Sequence, residues 1–297
     1  MSYAAIAREK SALVERTGLL GEGLCGSQVV SRFFIGGFGT ADQRKALQSA
    51  VVSVAISEPR VGAHPKLLAT RAEPDGDGYC ITGEKAWVTN GPVADVFIVL
   101  AITSVEDGRK RYSMFLVPRG TPGVSIDEAD HYRALPPSRH CGVKLDGCRA
   151  PSSALLGPLG AAYETMALPF RDVEDAVGTF GLLGAFRFVL SRLTASDEAA
   201  AISLGGLVGL TAVFAEAASA LVAALDAGEL ANQAPTSIGL RVLAGEMLQR
   251  ARSHRDAFGP ADDAALERVF ADLDMALSVA RGPRQVRQMR LGSGSAA

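Results

Sequence analysis

Residues 54–91 read VAISEPRVGAHPKLLATRAEPDGDGYCITGEKAWVTNG, and the texture of this stretch decides the fold. LLATRAE (67–73), GYCITG (78–83) and EKAWVT (84–89) are short runs carrying β-branched and aromatic residues. Turn signals punctuate them, Pro74-Asp75-Gly76-Asp77-Gly78 and Asn90-Gly91-Pro92. Runs of this kind suit a pleated, half-buried surface, while Gly, Asn, Asp and Pro supply the reversals. Working outward, AVVSVAIS (50–57), DVFIVLAI (95–102), YSMFLVP (112–118) and CGVKLDG (141–147) have the same character. No helical pattern separates them, so the spacing predicts a barrel or sandwich rather than βαβ units.

Both flanks change period. Residues 3–50 read as helical, with Thr40 as the N-cap of a short helix running through Leu47. Beyond Gly160 the chain turns Ala- and Leu-rich, and helices are predicted over 163–193, 197–227, 235–257 and 262–290. Helices, then strands, then helices make a segregated α+β chain. The expected domains are a partial N-terminal helical domain (1–49), a central β-domain (50–158), a C-terminal helical domain (159–291) and a flexible tail (292–297).

Composition sets limits. The 297 residues carry 30 Lys+Arg against 32 Asp+Glu, 48% hydrophobic and 21% charged residues, which excludes wholesale disorder. A net charge of −2 gives no field for a polyphosphate, so no nucleic-acid partner is expected. Cys25, Cys80, Cys141 and Cys148 form no CxxC pair, which points to thiols in a reducing compartment. His64, His131, His140 and His254 show no ligand spacing, so no metal site is expected. Charges at Arg8, Glu9 and Lys10 break any signal-peptide core. The longest uncharged run, 199–215, is 17 residues with three glycines, short of a membrane span. A buried helix is expected there, and a cytoplasmic location for the chain.

Two motifs invite over-reading. Gly21-Glu22-Gly23-Leu24-Cys25-Gly26 matches GxGxxG, but helical sequence precedes it and no βαβ unit follows, so a turn between helices is expected. Arg281, Arg284, Arg287 and Arg290 recur every third residue. They make either a solvated face that complements a helix C-terminus or a grip for a coenzyme phosphate or an acidic partner.

Taken together, Ser57-Glu58-Pro59, Thr70-Arg71-Ala72, the Asp75–Gly78 turn and Gly83-Glu84-Lys85-Ala86-Trp87-Val88-Thr89-Asn90-Gly91 resemble the acyl-CoA dehydrogenase family. FGTADQRKAL (38–47), MFLVPRGTPGVSI (114–126) and RAPSSALLG (149–157) resemble further segments of it, in the same order. The resemblance implies an acyl-CoA dehydrogenase-like fold whose N-terminal helical segment is truncated here. It also implies FAD as cofactor: Ile56 and Ser57 at the edge of the flavin ring, Gly62 near its phosphates, Trp87 packed on the ring and Thr89 near its reactive nitrogen. The implied reaction removes the α-proton and β-hydride of an acyl thioester, on CoA or an acyl carrier protein.

The pattern departs in places. The family's G-x-G-S-D after the E-P is Arg60-Val61-Gly62-Ala63-His64, without the serine and aspartate. Its R-x-x-F-G and Q-x-x-G-G-x-G have no counterpart, Ser196–Ala199 and Gly259-Pro260 standing in their neighbourhoods. Val279–Pro283 occupies the place of the usual Y-E-G-T base and carries no carboxylate. Some members place the glutamate seven residues before a G-x-x-G; Gly181 and Gly184 make that pair and put Glu174 in the position. An active FAD-dependent dehydrogenase is the leading reading. A non-catalytic subunit paired with a complete homologue and a flavin-dependent oxidase or monooxygenase on the same fold are the alternatives. The long apolar helices predict a homo-oligomer, or a hetero-oligomer with a homologous subunit.

Overall fold

The computed structural model describes residues 1–21, 23–259 and 262–294. Its helices in chain order are α1 (Tyr3–Thr17), α2 (Leu24–Val30), α3 (Ala41–Ala46), α4 (Leu168–Arg192), α5 (Glu198–Asp226), α6 (Ala234–Phe258), α7 (Ala264–Ser278) and α8 (Arg281–Gly292). The strands are β1 (Val52–Ala55), β2 (Arg71–Asp75), β3 (Gly78–Thr89), β4 (Val96–Glu106), β5 (Arg109–Pro118), β6 (Val124–Asp127), β7 (His140–Pro151) and β8 (Leu155–Leu156). The α+β class stands. Two compact units emerge: Gly23–Arg171, which holds the sheet, and Met1–Glu22 with Asp172–Ala297, which is helical.

In the β-unit one mixed sheet runs β6-β7-β3-β2-β4-β5-β8, with β1 parallel to β4. The runs 78–83 and 84–89, read as two strands, are one strand that bulges twice against β7. β6 was not expected: at four residues, half of them exposed, it is too short to show a period. Ile81, Val88, Phe97, Phe115, Val143 and Leu145 fill the core. Thr40 caps α3 in a capping box with Gln43. Gln43 Nε2 also donates to the Ser153 and Leu155 carbonyls, both at 2.9 Å, so the G-T-x-x-Q element ties α3 to the start of β8 and the turn before it. A π-helical turn, Ser31–Gly36, follows α2, and its Phe33 and Phe34 pack on Phe170 with ring centroids 5.2 and 4.6 Å apart.

The helical unit is held differently. The Asp226 carboxylate at the end of α5 accepts from the Tyr3 and Ala4 backbone N–H groups, both at 2.9 Å, and so caps the start of α1. α1 and α4 approach closely at two glycines. A Cβ at Gly181 would lie 2.7 Å from Lys10 Cε, and one at Gly184 would lie 2.9 Å from Val14 Cβ. Three expectations need correction. The run 199–215 lies in a helix of 29 residues, α5, which by length and composition alone could cross a membrane. Only a third of its most apolar window is buried, and Ile202, Val208 and Val213 are exposed, so it is no buried helix. The helix expected over 262–290 is two helices, broken where Ala280 takes a left-handed φ of 53°. The arginine face is not simply solvated: Arg284 pairs with Asp175 at 2.5 Å and Arg287 with Asp172, binding α8 to α4.

The Gly21–Gly26 string falls between α1 and α2, and Glu22 within it lies outside the described residues. Gly23, with φ 50°, is the N-cap of α2 and accepts from Asn90 Nδ2 at 2.6 Å. Pro260, part of one departure noted above, and residues 295–297 of the tail also lie outside the described residues.

Candidate functional site

The Ser57-Glu58-Pro59 element leaves the sheet just after β1 and is bound to β3 by a buried polar knot. Lys85 Nζ lies 2.9 Å from Glu58 Oε1, with side-chain exposures of 0% and 7%. The same ammonium donates to the Ile56 carbonyl at 3.2 Å. The Glu58 carboxylate also accepts the N–H groups of Ala69 at 2.7 Å and Thr70 at 2.9 Å. Ala86 N–H donates to the Ser57 carbonyl at 2.8 Å. Burial opposes both charges. It pushes the Lys85 ammonium down to about 8, Glu58 recovering only part of the loss. For Glu58, burial pushes upward, but Lys85 and the Thr70 hydrogen bonds outweigh it and hold the carboxyl below its usual value. Two charges this deep are expensive and are retained where they fix geometry. Here they fix the backbone of Ile56 and Ser57 against the strand that carries Trp87.

Trp87 and Thr89 follow on that strand. The second bulge of β3 lies between Lys85 and Val88, and Trp87 within it takes φ 57°. For a bulky residue that φ is a true outlier, costing about 1–3 kcal/mol, and such strain gathers at functional positions. The bulge re-aims the indole outward, leaving it 49% exposed. Tyr132 and His140 meet it edge-on, with centroids 5.3 and 6.0 Å away. Thr89 Oγ1 shares a 3.2 Å hydrogen bond with His140 Nδ1. Asn90, left-handed at φ 59°, donates to Ser27 Oγ at 3.1 Å, and Arg119 donates to the Pro92 carbonyl at 2.8 Å, so the turn after Thr89 is pinned from two sides. Cys141 is buried on the neighbouring strand, and burial pushes its thiol up to about 12, which makes it inert as a nucleophile at neutral pH.

The knot thus ties the Ile56–Ser57 backbone to the strand that carries Trp87 and Thr89. Ser57 is half-buried, and its hydroxyl makes no hydrogen bond among the described residues. Gly62 bridges back to Glu58 with φ 59°, and a Cβ there would meet only open space. Glu174 stands in the other unit, exposed on α4. The Gly181/Gly184 pair that singles it out has a packing task of its own, admitting α1. Sequence reasoning missed the Lys85–Glu58 pair as a framework and missed His140. The signal for the first was two opposite charges inside one motif; for the second, a histidine at the head of the strand facing Thr89.

Residues 53–148 match the acyl-CoA dehydrogenase middle domain. That segment, about a third of the chain, is where it is similar to the acyl-CoA dehydrogenases. It is 38% identical over 127 residues to cyclohexane-1-carbonyl-CoA dehydrogenase of Syntrophus aciditrophicus, covering 43% of this chain and 33% of that protein. It is 30% identical over 135 residues to the mitochondrial short/branched chain specific acyl-CoA dehydrogenase of Bos taurus, covering 44% and 31%. The matched region therefore spans about a third of the length of these relatives. Among solved structures, glutaryl-CoA dehydrogenase from Mycobacterium smegmatis superposes with a TM-score of 0.83 at 25% identity, over 100% of this chain and 81% of that one. A structure of a glutaryl-CoA dehydrogenase from the same organism in complex with FADH2 gives the same TM-score at 23% identity. The family match covers residues 53–148, the stretch that holds Ser57, Trp87 and Thr89.

Proposed function

We propose that the chain is a flavin-dependent oxidoreductase of acyl-CoA dehydrogenase type, acting on an acyl thioester of CoA or of a carrier protein. One observation carries this reading: an indole held half-exposed by a strained bulge, on a strand that also carries Thr89 and is bonded at Ala86 to the Ser57 carbonyl. An aromatic face bordered by hydroxyls suits a flat ring that needs both stacking and hydrogen bonds. The residues fit the ring half of FAD. Ile56 and Ser57 would meet its edge, Trp87 its face and Thr89 its polar rim, while the side-chain-free Gly62 would clear room for the phosphates. Ala63 and His64 stand where the family has serine and aspartate, so the phosphate end needs donors from a second chain. The unpartnered apolar stripe of α5, with Ile202 70% exposed, supports such a chain, either a second copy or a homologous subunit.

When bound, FAD supplies the acceptor for the hydride leaving the β-carbon. The chain's own work is orientation and proton removal. Glu174, an exposed carboxylate on α4, takes the α-proton once the thioester carbonyl is polarised, leaving an α,β-unsaturated product. The test is dye-coupled oxidation of short and branched acyl-CoA thioesters by FAD-loaded protein. Turnover that Glu174→Gln abolishes while flavin content is unchanged supports the assignment; turnover that survives the substitution removes Glu174 from it.

A second reading, a non-catalytic subunit, is favoured by one observation. The segment that in the family holds the usual base is here Ala280-Arg281-Gly282, with a cation in place of a carboxylate. Under that reading the chain binds flavin but turns nothing over until a complete homologue is added.

A further inference from the structure

Between α4, α6, α7 and α8 lies a pocket of about 220 Å³ whose lining comes wholly from the helical unit. Its apolar part is Ile238, Val242 and Leu277, and its polar part is dominated by arginines. Asp175 is the carboxylate in the lining, and Arg284 neutralises it at 2.5 Å. Arg287 is likewise engaged, by Asp172. Two guanidinium groups remain. Arg281 makes no ion pair or hydrogen bond among the described residues. Arg241 gives one Nη2–H to the Ala276 carbonyl at 3.2 Å, while its Nε–H is buried without an acceptor. With one N–H bonded to the chain, the guanidinium of Arg241, which lines the pocket, keeps further donors for an acceptor from outside the chain.

We infer that this pocket binds a small organic carboxylate. Its carboxylate meets Arg241 and Arg281, and its short hydrocarbon body lies on Ile238, Val242 and Leu277. Guanidinium forks match the planar carboxylate, and two of them on one anion discriminate strongly against a neutral head. The volume is below the roughly 300–1,000 Å³ of pockets that enclose drug-sized ligands, so a whole coenzyme does not fit. A bare inorganic anion would leave the apolar part unused, and a neutral alcohol would leave both arginines unmet. None of the residues assigned to the flavin ring takes part, so this inference stands apart from the proposed reaction.

Calorimetric titration of the full chain with hexanoate tests it, with hexan-1-ol, acetate and inorganic phosphate as controls. The expected result is saturable one-to-one binding of hexanoate, with each control weaker by at least about tenfold. Arg281→Gln and Arg241→Gln should each weaken hexanoate by a similar factor. Arg281 is exposed, so its replacement should leave the helical circular dichroism unchanged and the result readable even if Arg241→Gln misfolds. Hexanol binding as tightly as hexanoate overturns the inference, as does phosphate binding as tightly, or hexanoate binding that ignores Arg281→Gln.

Discussion

The two units of this chain are built on opposite economies. In the β-unit, polar groups are buried at the centre of the frame: Lys85, Glu58 and Asn90 hold backbone where apolar side chains would have packed. In the helical unit, α1 and α4 meet through small residues at close approach, Gly181 and Gly184, and the ion pairs Arg284–Asp175 and Arg287–Asp172 are partly exposed, although Lys10, His254 and Asp272 are buried. Buried polar frames demand particular residues at particular places, whereas exposed ion pairs tolerate many substitutes. This accounts for a family match confined to residues 53–148 in a chain that superposes along its whole length on a solved structure.

Breaking the β-frame should cost most. Lys85→Met leaves Glu58 buried without its cation and should destabilise the chain by about 3–5 kcal/mol in urea unfolding. Pairing it with Glu58→Gln, which removes the orphaned charge and keeps an acceptor for the Ala69 and Thr70 N–H groups, should restore most of that loss. If the double variant is as unstable as Lys85→Met alone, the buried charge is not the cause. The same pair sets an acid limit. Because the folded Glu58 carboxyl titrates below its ordinary value of 4.5, its stabilisation is fully present above that pH and is lost as pH falls through the lower folded value. Urea midpoints measured across this range should fall less steeply in Glu58→Gln than in the natural chain.

The helical unit should answer to volume instead. Gly184→Ala puts a methyl against Val14 and the Ser11 backbone, and overpacking of this kind costs about 1–3 kcal/mol, read as a lower thermal midpoint. Trp87 sharpens the contrast, since a left-handed backbone at a bulky residue works against stability. Trp87→Gly relieves the left-handed backbone and should be about 1 kcal/mol more stable than Trp87→Ala, while both lose flavin. Equal stability of the two would mean the bulge carries no strain. At the small end, Asp172→Ala removes an ion pair whose side chains are about 40% exposed. It should cost no more than about 1 kcal/mol and fade in high salt.

Legibility in the sequence follows the same division. The G-T-x-x-Q and W-V-T-N-G elements could be read because residue types in them answer a local demand: Gln43 for a capping box, Asn90 for a left-handed turn. The Lys85–Glu58 pairing could not, since it joins residues 27 apart and both look like ordinary surface charges. Among the helices, the break before α8 hid behind an alanine, Ala280, in a conformation that sequence assigns to glycine or asparagine. Gly282-Pro283 is better read as the opening of α8, where proline belongs in the first turn, than as helix interior. For α5, the uncharged run stops at Glu216, but the helix continues past it to Asp226.

Trp87 is the chain's single tryptophan, so its fluorescence reports on one place and no other. Titration of the purified chain with FAD, read as tryptophan emission after correction for absorbance by the added flavin, therefore tests the flavin-wall assignment directly. The account predicts saturable quenching that reaches its limit at one FAD per chain, weakened in Ser57→Ala. Emission that stays unchanged while FAD is taken up would place the cofactor elsewhere; unchanged emission with no uptake would remove flavin from the account of this chain.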